Sequence, residues 1–497
     1  MKNRYDHLVV GSGISGLTAA LLLGLNGRSV LLIEKAPHIG GSMARFKLDG
    51  VPFDTGFHFT GGFSKGGLLD DMLRVLGLRD AIHPIFLDSE HANRFVFEES
   101  GESITFPSGQ ALLIRKLSEQ FPTETDAIKS YFQKVERVRE QTATMNIRNI
   151  HSAPEPIEED FVTLQAALDE LTDNKQLKAM LGGFAMCYGT PPSEISFAAH
   201  CRMCDGLYES VARVEQGGEA FIHAFKEAFQ PLDVDVACNT TIAECLDLQD
   251  RHVGRVRLSS GEEVSFKECL FTINPHEILR ILPEEKLSRG FVHRVDAYES
   301  SAGFFTLFAV NHQTDPDEQI VSLFPTTDVN AMLDATSDEE SAIVIMRSRE
   351  VVDGKPCNTL IAFEPCFEKK TEPWADSKLR KRPADYTEWK TKKAERMCER
   401  IYAALPELRG KLDVLDSATP LTFRDYLHSP DGSAYGIKQK IGQFNLIGRL
   451  PWRNMFAAGQ SALLPGVVGA MMSSFIVVRS LLGRADLNTF IHERLAE

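Results

Sequence analysis

The first forty residues set apolar runs against one glycine-rich break. Leu8-Val-Val10 is short and unbroken in its apolarity, the pattern of a strand buried on both faces. Leu17-Thr-Ala-Ala-Leu-Leu-Leu-Gly24 stays apolar for longer and reads as a buried helix, and Val30-Leu-Leu-Ile33 is a second strand ending at Glu34. Gly11-Ser-Gly-Ile-Ser-Gly16 fills the gap between strand and helix. Each glycine has a mechanical use there: Gly11 for the tight turn, Gly13 for backbone approach to a pyrophosphate, Gly16 for close helix–sheet packing. The helix N-terminus adds free N–H groups and the positive end of its dipole. Glu34, 23 residues beyond Gly11, stands where a carboxylate accepts hydrogen bonds from a ribose diol. Together these elements predict a dinucleotide site.

Further along, Ala44 to Leu48 and a return strand to Phe53 form a hairpin around Asp49-Gly50, leading into a loop, Asp54-Thr-Gly-Phe-His-Phe-Thr-Gly-Gly62, suited to passing a flat ring. Gly66 to Leu76 has one apolar helical face and a Gly77 cap. Phe95 to Phe106 alternates as a hairpin around Ser100-Gly101. Helical periodicity then runs from Gln110 to about Asn149 and from Phe161 to Leu181, separated by an acidic loop from His151 to Asp160. Residues 68–214 thus read as a mostly helical insertion. Gly217-Gly218 opens a helix to Phe229. Strands follow at Val234–Cys238, Thr240–Cys245, Val253–Leu258, Glu263–Phe266 and Glu268–Ile273, a return to the nucleotide domain through a meander. Gly303–Val310, Ile343–Met346 and Thr359–Phe363 build a second sheet.

The carboxy-terminal end completes the site. Asn454 to Gly459 reads as a strand, and Pro465-Gly-Val-Val-Gly-Ala470 enters a helix to Leu482. That helix can point its N-terminus at the pyrimidine edge of a flavin, where its dipole stabilises negative charge on the reduced ring. Gly40-Gly41 is by itself an ordinary turn or a contact along the cofactor's phosphates and ribityl. With the terminal strand and helix it favours FAD over NAD. The chain therefore reads as α/β, a Rossmann-like FAD-binding domain with a parallel sheet and β-meander, interrupted by a substrate domain of mixed sheet and helices. The expected division is 1–67, 215–290 and 425–497 for the first, 68–214 and 291–424 for the second.

Composition narrows the partners. A length of 497 residues suits two domains, and a net charge of −15 argues against nucleic acid. Nine scattered cysteines read as reduced and intracellular. Cys201 and Cys204 form the one close pair, expected to be structural thiols on a helix, and no metal site is expected. Lys2 and Arg4 before an apolar stretch imitate a signal peptide, but cleavage there would destroy the glycine motif. Met455 to Val478 is uncharged, yet its proline, glycines and serines suit a buried loop and helix better than a membrane span. The basic stretch from Lys378 to Lys393, near Trp374, Tyr386 and Trp389, reads as a solvated amphipathic helix or as a contact with an anionic surface.

On these residues the chain resembles the phytoene desaturase, carotenoid isomerase and retinol saturase flavoproteins of the amine-oxidase-like superfamily, over nearly its whole length. The resemblance rests on Val9 to Gly16, Glu34 with Gly40-Gly41, Phe53-Asp-Thr-Gly-Phe-His-Phe59 and Gly217-Gly218. It continues through Thr419 to Tyr426, Gly432-Ser-Ala-Tyr-Gly436 and Gly459 to Ala470, and is nearest the retinol saturase-like branch. It implies that Gly11, Gly13, Ile14, Ser15 and Gly16 hold the pyrophosphate, and Glu34, beside Lys35, the adenosine ribose. Gly41 and Ser42 would lie along the phosphates, Ile242 by the adenine, and Gly459, Ser461, Gly466, Val467 and Val468 by the flavin half. Many relatives have an acid or amide where this chain has Gln460-Ser461; a serine still hydrogen-bonds there.

The implied activity is FAD-dependent saturation, desaturation or isomerisation of C=C bonds in a lipophilic polyene or isoprenoid, by hydride transfer at flavin N5. His58 is the candidate proton donor or orienter, against a structural role; Tyr435 reads as a wall of the site. No second glycine fingerprint is present, so electrons are expected to exchange with a quinone, a redox partner, oxygen or transient nicotinamide. A cytoplasmic protein touching membranes peripherally is expected. Two other readings use the same scaffold: an amine or porphyrinogen oxidase-like flavoenzyme, and a non-catalytic lipid-escort protein.

Overall fold

The computed structural model describes residues 1–149, 155–314, 319–337 and 340–496. Arg4–Val10, longer than its apolar run suggests, lies inside an eight-stranded sheet. Val30–Ile33 pairs with it in parallel on one side and Glu263–Phe271 on the other. Val234–Ala237 and Met455–Ala457 extend the parallel part. Ile242–Gln249 and His252–Leu258 add the antiparallel meander. The two short strands expected between Glu263 and Ile273 are one strand ending at Phe271. Lys267, which breaks the apolar pattern, points outward and pairs with Asp6 at 2.7 Å, so the ladder continues past it.

The opening helix, Ile14–Leu25, and the closing helix, Gly466–Leu482, pack on the same face of this sheet in one core. Ser474 Oγ donates to the Ser15 carbonyl at 2.8 Å and lies 2.6 Å from Ser15 Oγ. Two helices nearly 450 residues apart in sequence are tied at their buried seam.

The second sheet has seven strands, in the order Leu412–Ala418, Gly303–Asn311, Lys355–Cys366, Ile343–Val352, Ile320–Phe324, Asn93–Phe97, Glu102–Phe106. The hairpin expected near Phe95 therefore belongs to this sheet, joined in parallel to Ile320–Phe324, a strand the sequence reading lacks. One face packs on the helix Ala384–Ala404 through Met397 and Ile401. The other packs on the helical lobe, which includes Thr125–Gln141 and Phe197–Glu209. The expected helical run from Phe161 is two helices, Leu164–Leu171 and Lys175–Gly182, each capped by a side chain at Thr163 or Asn174. Of the expected acidic loop, residues 151–154 lie outside the described residues; Glu158–Asp160 form a short turn.

In the basic stretch, Trp374, Tyr386 and Trp389 pack on one another with ring centroids 5.2–6.2 Å apart. Cys201 and Cys204 are buried on the helix Phe197–Glu209, and burial raises both thiols. Among the described residues no helix is long and apolar enough to cross a membrane.

Candidate active site

The carboxyl ends of Arg4–Val10 and Val30–Ile33 open into a cleft of about 580 Å³, the position at which parallel α/β sheets hold ligands. Two helices begin there, at Ile14 and Gly466, and neither has a side-chain cap. Their free N–H groups face a common space, a double anion- and dipole-binding arrangement. Gly11, Gly13, Ile14 and Ser15 line the cleft. The glycines divide by role: a Cβ on Gly16 would lie 1.9 Å from the Gly11 carbonyl oxygen, whereas one on Gly13 meets nothing within 4 Å. Gly16 packs the helix and does not line the cleft; Gly13 leaves room for a ligand.

Glu34 is fixed at the cleft edge. One carboxylate oxygen accepts from Ser12 N at 2.8 Å and Ser12 Oγ at 2.6 Å; the other accepts from Ala36 N at 2.8 Å. Lys35 is exposed at the rim, and Ile242 forms a largely buried wall. Gly41, with φ +55°, brings itself and Ser42 over the glycine turn; its Cβ would stand 3.3 Å from Gly13 Cα. Ser461 Oγ accepts from Ile437 N at 3.2 Å, so it still lines the cleft but is already engaged. Gly459 lines neither cavity and donates its N–H to Ser473 Oγ at 2.8 Å, a packing contact with the closing helix.

A second cavity of about 1080 Å³ lies beyond, between the Gly56–Gly67 loop, the Phe184–Tyr188 segment, the helix Phe197–Glu209 and the start of the closing helix. Val468 faces this cavity alone. Gly56, His58, Phe363, Tyr435, Gly466 and Val467 line both, which marks the junction. His58 stacks on Phe363, centroids 5.7 Å apart and planes at 21°. Its Nδ1 is buried without a partner, and burial pushes its pKa down to about 4. His58 is therefore a neutral imidazole at neutral pH, with surface only partly open toward the cavities it lines. Burial raises the Tyr435 phenol well above its ordinary value. The larger cavity is lined by apolar side chains such as Phe59, Phe184, Leu463 and Met472 and also by Lys65, Arg139, Glu140 and Asp205. Burial pushes Asp205 up to about 6 although Arg139 lies 3.4 Å away.

Asn274, Glu277, Arg280 and His428, which no sequence motif marks as site residues, also line the cleft. Asn274-Pro275 directly after a strand is a cap and first-turn pair, and Asn274 Oδ1 accepts from His276 N at 2.9 Å. That signal was present in the sequence.

Residues 9–76 match the NAD(P)-binding Rossmann-like domain family. The chain is 24% identical to the all-trans-retinol 13,14-reductase of Danio rerio, over 96% of this chain and 86% of the relative. It is 26% identical to the 4,4'-diaponeurosporene oxygenase of Staphylococcus aureus (strain bovine RF122 / ET3-1), over 52% of this chain and 53% of the relative. A putrescine oxidase bound to putrescine has the same fold, with TM-score 0.64, 16% identity, and coverage of 96% of this chain and 99% of that one. Fold and relatives together define an FAD-dependent oxidoreductase. Over nearly its whole length the chain is similar to retinol saturase-like, FAD-dependent proteins.

Proposed function

We propose that the protein transfers hydride to or from a C=C bond of a lipophilic polyene or isoprenoid, the class named in its relatives, retinoid or carotenoid. The observation that carries this is the pair of cavities meeting at His58, Phe363 and Tyr435: one cleft with two uncapped helix N-termini, one larger chamber apolar at the meeting point. FAD fits the cleft on four counts: the open space at Gly13, the anchored Glu34, the uncapped helix above Gly466, and the unpartnered His58 Nδ1 at the junction. Bound FAD supplies hydride exchange at N5 of its ring.

In this reading Gly11, Gly13, Ile14 and Ser15 hold the pyrophosphate, and Glu34 with Lys35 the adenosine ribose. Gly41 and Ser42 lie along the phosphates, Ile242 by the adenine, and Ser461, Gly466, Val467 and Val468 by the flavin half. His58 orients the ring or substrate at the junction. Being neutral, it is a poor acid unless negative charge arrives beside it. Residues 68–214 and 291–424 form the substrate-binding unit, which contributes Phe184, Met203, Leu207 and Phe363 to the wall of the larger cavity. Electrons exchange with a quinone, a redox partner, oxygen or transient nicotinamide. The location is cytoplasmic with peripheral membrane contact; the exposed turn Lys378-Leu-Arg-Lys381, with Leu379 42% exposed among basic residues, supports such contact.

Absorbance of the purified protein, anaerobic photoreduction and challenge with all-trans-retinol and an acyclic carotenoid test the proposal. A yellow protein that bleaches and is reoxidised by a polyene is expected. The aromatic cluster of Phe304, Phe363 and Tyr435 also suits an amine oxidase, which peroxide release on adding amines would reveal. A colourless protein that binds retinol would point to lipid escort.

A further inference from the structure

Tyr188 lines the larger cavity with a buried imidazole behind it. Its phenol oxygen lies 2.7 Å from His200 Nδ1. His200 Nε2 lies 3.0 Å from the Tyr131 phenol and 3.2 Å from that of Tyr208, and those two phenols are 2.7 Å apart. Tyr131 and His200 are fully buried and Tyr208 is 2% exposed. Of the four side chains, Tyr188 is the one that lines the larger cavity. Three phenols and an imidazole carry a desolvation cost that Leu and Phe would avoid in the same helical core.

The network also sits beside the junction. Gly189 follows Tyr188 at φ +67°, so close to the second sheet that a Cβ there would come 3.0 Å from Ala302 N. Ala302 O accepts from Ala434 N at 3.1 Å, and Ser301 Oγ accepts from Tyr435 N at 3.1 Å. The segment bearing Tyr188 is thereby pinned next to the one bearing Tyr435.

We propose that Tyr188 is the proton donor when a substrate double bond is reduced, and that His200 is its positioning residue through Nδ1–H. This rests on the oxidoreductase reading above, taken in the direction of saturation. The substrate accepts hydride from the reduced flavin at one carbon, and its π pair moves to the neighbouring carbon. That pair forms the second C–H bond with the Tyr188 proton as the O–H bond breaks. The electron pair left on the phenol oxygen is held by the His200 Nδ1–H. The two electrons lost by the reduced flavin end in the saturated bond, and a solvent proton restores the phenol once product leaves. With Nδ1 protonated, Nε2 accepts from one of the Tyr131 and Tyr208 phenols while the other donates to its neighbouring phenol. Burial pushes His200 down to about 3, against a hydrogen bond to the Leu181 backbone, and keeps the imidazole neutral. His58 has no comparable partner behind its Nδ1.

The test uses FAD-loaded protein, photoreduced without oxygen and mixed with all-trans-retinol. Tyr188→Phe is expected to slow reoxidation by about a hundredfold. Its flavin spectrum and its retinol affinity in the oxidised state, read by protein fluorescence, stay at wild-type values. In D2O the wild type shows a solvent isotope effect and places solvent deuterium on one face of one carbon; His200→Gln loses that facial selectivity at unchanged retinol affinity. A wild-type rate and face in Tyr188→Phe overturn the proposal, as does the same loss found only in Tyr435→Phe. Should Tyr188→Phe not fold, ¹⁵N-histidine NMR of the oxidised wild type decides, with the His200 signal assigned by its absence in His200→Gln. A proton on Nδ1 supports the proposal and a proton on Nε2 overturns it. A yellow wild-type protein that no polyene reoxidises defeats the oxidoreductase reading instead, and the NMR still reads the network.

Discussion

Gly13 and Gly16 share one turn, yet substitution at each has a different consequence. At Gly16 a methyl would meet the Gly11 carbonyl oxygen at 1.9 Å, a backbone atom that cannot swing away. Gly16→Ala should therefore cost about 3 kcal/mol of stability by overpacking, measured by denaturant unfolding. At Gly13 the φ is −62° and no protein atom lies within 4 Å of the added methyl. Gly13→Ala should keep or slightly raise stability while weakening FAD binding by about tenfold, because the methyl takes the pyrophosphate's space. Equal FAD affinity in that variant would remove Gly13 from the site. His58 gives a pH-dependent counterpart. Its folded-state pKa of about 4 lies below the ordinary histidine value of 6.5, so the unfolded chain takes the proton first as pH falls. Stability is lost between about pH 6.5 and 4, the window set by those two values. His58→Gln should lose about 2 kcal/mol less than wild type between pH 7 and 4.5 in oxidised, FAD-loaded protein. Buried His200, Asp54 and Asp205 titrate alike in both proteins and cancel in the difference.

At the scale of elements, the site depends on how the first and last helices meet. Ser474 is fully buried and bonds both the hydroxyl and the carbonyl of Ser15, the second residue of the opening helix. Ser474→Ala removes both bonds from the buried seam, and about 1–2 kcal/mol of stability should go with them, together with faster FAD loss on dialysis. Both helices were legible in the sequence because each is a long apolar run with glycines at its start. Ile320–Phe324 was not: it is buried on both faces, so Ile-Val-Ser-Leu-Phe shows no alternation, and its parallel partner Asn93–Phe97 lies far away in the chain. The glycine turn, Glu34 and the Pro465 helix were readable for the same local reason. The Tyr188 network was not, since Tyr131, Tyr188 and His200 come from three elements and no spacing relates them. Local motifs fix the cofactor half of such a site; the substrate half is written in tertiary contacts.

For the whole molecule, the cleft has walls from both sheets. Glu34 and Thr272 come from the first, Phe304, Thr306 and Phe363 from the second, and Phe423 to Gly436 closes over it. A ligand filling it end to end touches both halves, so FAD should act as a cross-brace between them. Linkage sets the size: free FAD at a hundred times its Kd stabilises by about 2.7 kcal/mol. Stripping FAD should lower the melting temperature by a few degrees and speed proteolysis within Phe423–Gly436. ADP separates this from nucleotide binding alone. It reaches Gly13 and Glu34 but not Phe363 and Tyr435, so at equal saturation it should protect the first sheet's half and leave that segment open to protease. Equal protection by ADP and FAD would mean that the flavin end does not lie at the junction.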